Sequence, residues 1–145
     1  MFFAKMHPLL VHFPMALLFS GTIFQLFGAA NKEETILVAG DFNIRIGLWT
    51  IPIVMAVGGM SLLDVQVEDT LAKDFLYSHI LYAFLALIVF TCWVGLQKFK
   101  RKIWVDIIHY LLLLAGMTTI VMTGFYGGEL VHRFGLPNRV MNYIP

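Results

Sequence analysis

Histidine is the residue of this chain with the widest chemical reach, because its imidazole titrates near neutrality and ligates metals. There are five, His7, His12, His79, His109 and His132, set in long apolar runs. An ionisable side chain in such a run is costly, so it faces a bundle interior or water and marks a functional pathway. Turning about 100° per residue, a helix puts His12, Ala16 and Ser20 on one side and, two helices later, His79, Ala83 and Ala86 on one side. Each histidine then heads a groove of small residues. Such a groove suits a flat macrocycle held between helices, since bundle cores build cofactor sites from facing side chains. Two neutral imidazoles give a six-coordinate, low-spin iron suited to passing electrons. The expectation is therefore haem b with His12 and His79 as axial ligands, lined by Ala16, Ser20, Ala83 and Ala86. Two other readings share the same pattern. Small residues also let transmembrane helices approach with nothing between them, and a quinone or a metal would use a similar cavity.

The remaining histidines are less defined. His7 and His12 are about 140° apart on a helix, so both do not face one pocket unless the helix start is distorted, which Pro8 and Pro14 allow. His7 is assigned to the cofactor's edge, as a propionate contact or proton relay. A metal held by His7, His12, His79 and His132 lacks the close ligand pairing of zinc motifs. Asp106, His109 and His132 are read as candidate proton-relay residues. No nucleophile and base pair, no paired buried carboxylates and no phosphate loop are found. Enzyme chemistry contained in this chain is not expected; an electron-transfer or structural subunit is.

The elements that must position these residues follow from composition. The chain has 145 residues, 59% hydrophobic and 13% charged, with a mean hydropathy of +0.81. That is too apolar for a water-soluble domain, so lipid is its solvent. A spanning helix needs about 20 apolar residues. Four stretches qualify, at about 8–30, 44–63, 75–96 and 103–125, joined by polar connections and followed by a tail at 126–145. The chain is thus read as all-α, one transmembrane four-helix bundle over 1–145. The first apolar run exceeds the usual length of a leader's apolar region and is read as a retained span. Residues 31–43 are read as the first loop, and the tail as too broken by Gly and Pro to be helical. The single Cys92 excludes an internal disulfide. A net charge of +1 without a basic run argues against nucleic acid.

Six of the ten basic residues, Lys32, Arg45, Lys98, Lys100, Arg101 and Lys102, fall on the side of the first and third connections. The positive-inside rule makes that side cytoplasmic, with both termini on the other. His7, His12, His79 and His132 then gather at the outer face, leaving His109 on the cytoplasmic half. Trp49, Trp93 and Trp104 near one boundary and Tyr77, Tyr82, Tyr126 and Tyr143 near the other read as interfacial belts.

The start His7-Pro8-Leu9-Leu10-Val11-His12-Phe13-Pro14 and the end Gly127-Gly128-Glu129-Leu130-Val131 form an HPxxVHFP and GGxLV pair. With Gly58-Gly59 and Asp64 closing helix two, and His79 in helix three, the whole chain resembles a family of bacterial four-helix membrane domains of unknown function. The resemblance implies a redox role at the outer face, since some members are joined to Rieske or cytochrome c domains. It also implies a histidine just before the glycine that follows GGxLV; Phe134 stands there instead, with His132 two residues earlier. The resulting expectation is a b-type cytochrome-like subunit of a respiratory chain in the bacterial inner membrane, linking quinol to a periplasmic redox partner. The alternatives are a non-catalytic anchor or assembly subunit of a larger respiratory or photosynthetic complex, and a quinone- or metal-binding transport module. Partners are the lipid bilayer and other membrane or periplasmic redox subunits, or further copies of the chain.

Overall fold

The computed structural model describes residues 2–65, 67–99 and 102–136, and their regular secondary structure is entirely α-helical. Four helices follow one another, α1 (Phe2–Asn31), α2 (Glu34–Asp64), α3 (Thr70–Leu96) and α4 (Ile103–His132). Each is long and apolar enough to cross a membrane. The protein is an all-α, multi-pass membrane bundle. Tyr143, Lys100 and Arg101 lie outside the described residues.

The helices run further than the apolar stretches do. At 1.5 Å per residue each is about 40 Å or longer, whereas the hydrocarbon core is about 30 Å thick. Their polar ends therefore stand in the interfacial zones, where hydropathy no longer marks them. The expected first loop at 31–43 shrinks to Lys32 and Glu33. Lys32 takes a left-handed φ of 58°, which folds the chain back so that Glu33 N–H donates to Gly28 O at 2.9 Å. Glu34 then opens α2, its charge favourable at a helix N-terminus. α1 likewise begins at Phe2, which puts Pro8 and Pro14 inside it.

The tail is corrected too. α4 continues through Gly127-Gly128 to His132 and is closed by Arg133 and Phe134 N–H groups donating to Glu129 O. Gly135, at φ 67°, turns the chain so that Leu136 N–H reaches Leu130 O at 3.0 Å. That turn buries Phe134 against Ala72 and Leu130. At the same end, the Asp69 side chain caps α3 by accepting from Leu71 and Ala72 N–H.

Two antiparallel hairpins, α1/α2 and α3/α4, make up the bundle, and they touch along α1–α4 and α2–α3 far less than each packs internally. In the first hairpin, glycines spaced by seven line the interface: Gly21 meets Gly40 across it, Gly28 of α1 receives Leu37, and Gly47 of α2 receives Leu18. A methyl group on Gly21 would lie 2.7 Å from Ile44 Cγ1 and 2.9 Å from Gly40 O, so the two backbones are in contact. In the second hairpin the Phe90 ring lies on Gly116. The core joins Leu18, Ile44, Phe90, Trp93 and Leu113. Trp93 is thus fully buried rather than in an interfacial belt, while Trp49 and Trp104 are exposed as expected. Large apolar side chains such as Leu63, Trp49 and Ile103 cover the outside, as lipid requires.

Candidate functional site

The end of the bundle that carries the start of α1 and the end of α4 brings two histidines together, one from each hairpin. They are His7 and His79. Their ring centroids are 6.1 Å apart and their planes are nearly perpendicular, at 85°. Both rings rest on glycine. A methyl group on Gly58 of α2 would come within 2.7 Å of His7 Cε1, and one on Gly127 of α4 within 2.9 Å of His79 Cε1. The two seats are related: each histidine lies on the first helix of its hairpin and each glycine is the first of a Gly-Gly pair on the second. The neighbours Gly59 and Gly128 meet nothing.

Hydrogen bonding distinguishes the two rings. His79 Nδ1 lies 2.9 Å from Thr123 O on α4; a carbonyl only accepts, so this nitrogen carries the proton and Nε2 keeps its lone pair. His7 Nδ1 is buried without a hydrogen-bond partner, although the Val54 backbone lies beside the ring. A buried polar atom left unmatched is uncommon and calls for a partner. Around the pair, Met15 of α1 lies over Gly124 of α4, and Tyr82 stacks on Tyr126 at 5.6 Å. Phe75 packs edge-on against Tyr126. Both histidines are half-buried.

The other expected site residues fall differently. His12 is exposed, and its Nδ1 bonds Pro8 O of its own helix at 2.6 Å. The expected pairing of His12 with His79 is therefore replaced by His7 with His79. The two α1 histidines are separated around the helix, and the seat at Gly58 takes His7. Ala16 is also exposed, and Ser20 turns to Leu17 O and to Asn43 of α2. On α3, Ala83 is half-buried and Ala86 buried, so that groove does face inward. His132 is exposed beside the Glu129–Arg133 ion pair. Among the described residues, no three histidine, cysteine or acidic groups gather as metal ligands.

His109 is placed at the opposite end with Asp106. Its ring packs on Trp93 with centroids 4.7 Å apart. A polar network missed in the sequence also lies there. Asp41 of α2 accepts from Arg45 Nε and from Gln97 Nε2 of α3, each at 2.8 Å, and Arg45 Nη2 donates to Gln97 Oε1. Its sequence signal is that both connections fall on the same side, a signal hidden where residues 31–43 read as a loop.

The family described as Predicted membrane protein (DUF2231) matches residues 4–139. No curated protein and no solved structure matches the chain.

Proposed function

We propose a redox function for this chain, which belongs to the DUF2231 family of predicted membrane proteins and crosses the bilayer four times. It is an electron-transfer subunit of b-type cytochrome character, holding haem b through His7 and His79 and passing electrons between membrane quinol and a periplasmic partner. The histidine end faces the periplasm of the inner membrane, a reading supported by the basic residues gathered at the other end.

One observation carries this reading. Two imidazoles from different hairpins face each other with one buried nitrogen unmatched. His7 and His79 are the residues that would hold the iron, one from each hairpin, with ring centroids 6.1 Å apart. The Thr123 carbonyl acts as the second partner that ligating histidines have, fixing the tautomer and aiming Nε2. Gly58 and Gly127 leave the rings room that any side chain would fill. Bound iron would alternate between ferrous and ferric states and carry one electron at a time.

A reduced-minus-oxidised spectrum of protein purified from haem-supplied cells tests the proposal. The expected result is a Soret and split α-band, lost in His7→Ala and in His79→Ala but retained in His12→Ala. Protein without those bands dismisses the cofactor. The second reading, a non-catalytic anchor of a larger complex, is favoured by the edge-to-face arrangement of the rings, which then only lock the two hairpins together. Under it, both alanine variants lower stability and no variant changes electron transfer.

A further inference from the structure

The two hairpins correspond position by position. His7, Leu18 and Gln25 each lie 72 residues before His79, Phe90 and Gln97, and Gly47, Val54 and Gly58 each lie 69 residues before Gly116, Thr123 and Gly127. The same shifts bring contacts into register. A methyl group on Gly47 would lie 2.8 Å from Leu18 Cγ and one on Gly116 2.7 Å from Phe90 Cζ, just as the histidines lie on Gly58 and Gly127. The core residues Ile44 and Leu113 also correspond, and both are fully buried. Because α1 and α3 run the same way through the bundle, the axis relating the hairpins stands along the membrane normal, as in parallel-repeat membrane proteins. His7 and His79 are symmetry mates that face each other, so they straddle this axis.

At His79 the purpose of the glycine is visible. A helical carbonyl accepts from the N–H four residues on, and the side chain of that later residue leans back over it. Glycine leaves the carbonyl open. Gly127 thereby exposes Thr123 O to His79 Nδ1 at 2.9 Å, and Gly58 stands in the same relation to Val54 O. The rings are seated alike: from the methyl position, Cε1 and Nδ1 are at 2.7 and 3.1 Å in His7 and at 2.9 and 3.0 Å in His79. They differ at the far nitrogen, where Nε2 is 3.2 Å away in His7 and 3.9 Å in His79. The His7 ring therefore lies flatter on its glycine, and its Nδ1 is the one buried without a partner. A tilt to the His79 pose supplies that partner, since the Val54 backbone lies beside the ring and a carbonyl keeps a second lone pair beyond its helical bond.

We propose that the Val54 carbonyl, uncovered by Gly58, is the positioning group of His7, so that each histidine gives its Nδ1 proton to its own hairpin and turns Nε2 toward the axis. The inference deepens the haem reading and rests on it for what the two nitrogens hold. The orientation itself belongs to the haem-free chain, where it is tested.

The test is the side-chain nitrogen spectrum of the full haem-free chain in detergent, labelled with 15N-histidine, at about pH 8, where imidazoles are neutral and the two tautomers are distinct. Single His→Gln variants assign the signals. The expected result is a protonated Nδ1 and a bare Nε2 at both His7 and His79. Gly58→Ala should abolish the Nδ1–H form at His7 and leave His79 as it was, and Gly127→Ala should do the reverse. A native His7 protonated at Nε2 overturns the proposal, and so does a His7 tautomer unmoved by Gly58→Ala. The native spectrum decides by itself if Gly58→Ala fails to fold. Both tautomers as expected in a chain that shows no haem bands would remove the cofactor and keep the seat, whereas the wrong tautomer at His7 removes the seat whatever the haem spectrum.

Discussion

Within each Gly-Gly pair only one glycine is occupied from above. Gly127 has the His79 ring at contact, and Gly128 beside it has open space. Gly127→Ala must push the ring away from Thr123 O, and overpacking of this kind costs about 1–3 kcal/mol. Gly128→Ala meets nothing and replaces a poor helix former, so its effect is within about 0.5 kcal/mol or slightly stabilising. Melting temperatures of the two variants in detergent should differ accordingly, and equal melting would mean that the ring does not rest on Gly127. Gly58→Ala and Gly59→Ala should repeat the contrast on the other hairpin, because His7 Cε1 stands over the first and nothing over the second. The exposed His12 tolerates alanine with a change below about 0.5 kcal/mol.

Helix pairing depends on spacing rather than on amphipathicity, since lipid and core are both apolar and burial alone does not choose a face. Glycines seven apart in α1 and in α2 open places on one stripe of each helix where the partner's backbone or a leucine fits closely. Backbone contact there lets Gln25 and Asn43 reach across the interface to Leu37 O and Ser20. Gly21→Leu places a branched side chain against the Gly40 carbonyl, which is backbone and does not give way. The expected outcome is loss of the α1/α2 hairpin, read as a melting temperature well below that of Gly21→Ala. The start of α3 offers a milder test: Asp69→Ala removes a cap that takes two N–H groups and should cost about 1 kcal/mol.

The whole molecule is two hairpins joined at one end by a histidine ring pair, at the other by polar contacts, and between them by the shared core. One end has His7 against His79, the other Asp41 and Arg45 against Gln97. Because the Arg45 end is partly exposed, the Asp41–Gln97 coupling in a double-mutant cycle with alanine should be modest, about 0.5–1 kcal/mol. Asp41→Ala and His79→Ala sit at opposite ends and share no partner, so their effects should add within about 0.5 kcal/mol. Strong coupling between them would show that the hairpins move as one body from end to end.

Hydropathy was enough to establish four spanning helices, because a segment without water must satisfy its own backbone and apolar length reports this directly. The two end motifs were equally plain in the chain, and they led to the right family. The helix limits were not legible, since α2 and α4 extend past the hydrocarbon where charged residues and glycines look like loop. Nor was the identity of the paired histidine. Helical spacing separates His7 from His12 by angle alone, and nothing local says how α1 is rotated about its axis. That rotation is set by the glycines of α2: their contact stripe turns α1 until His7 finds Gly58 and His12 is left outside. The same packing puts Trp93 in the core and joins Asp41 to Gln97, residues 56 apart in sequence. Sequence periodicity describes one helix at a time, whereas a site between hairpins depends on how four helices are turned toward one another.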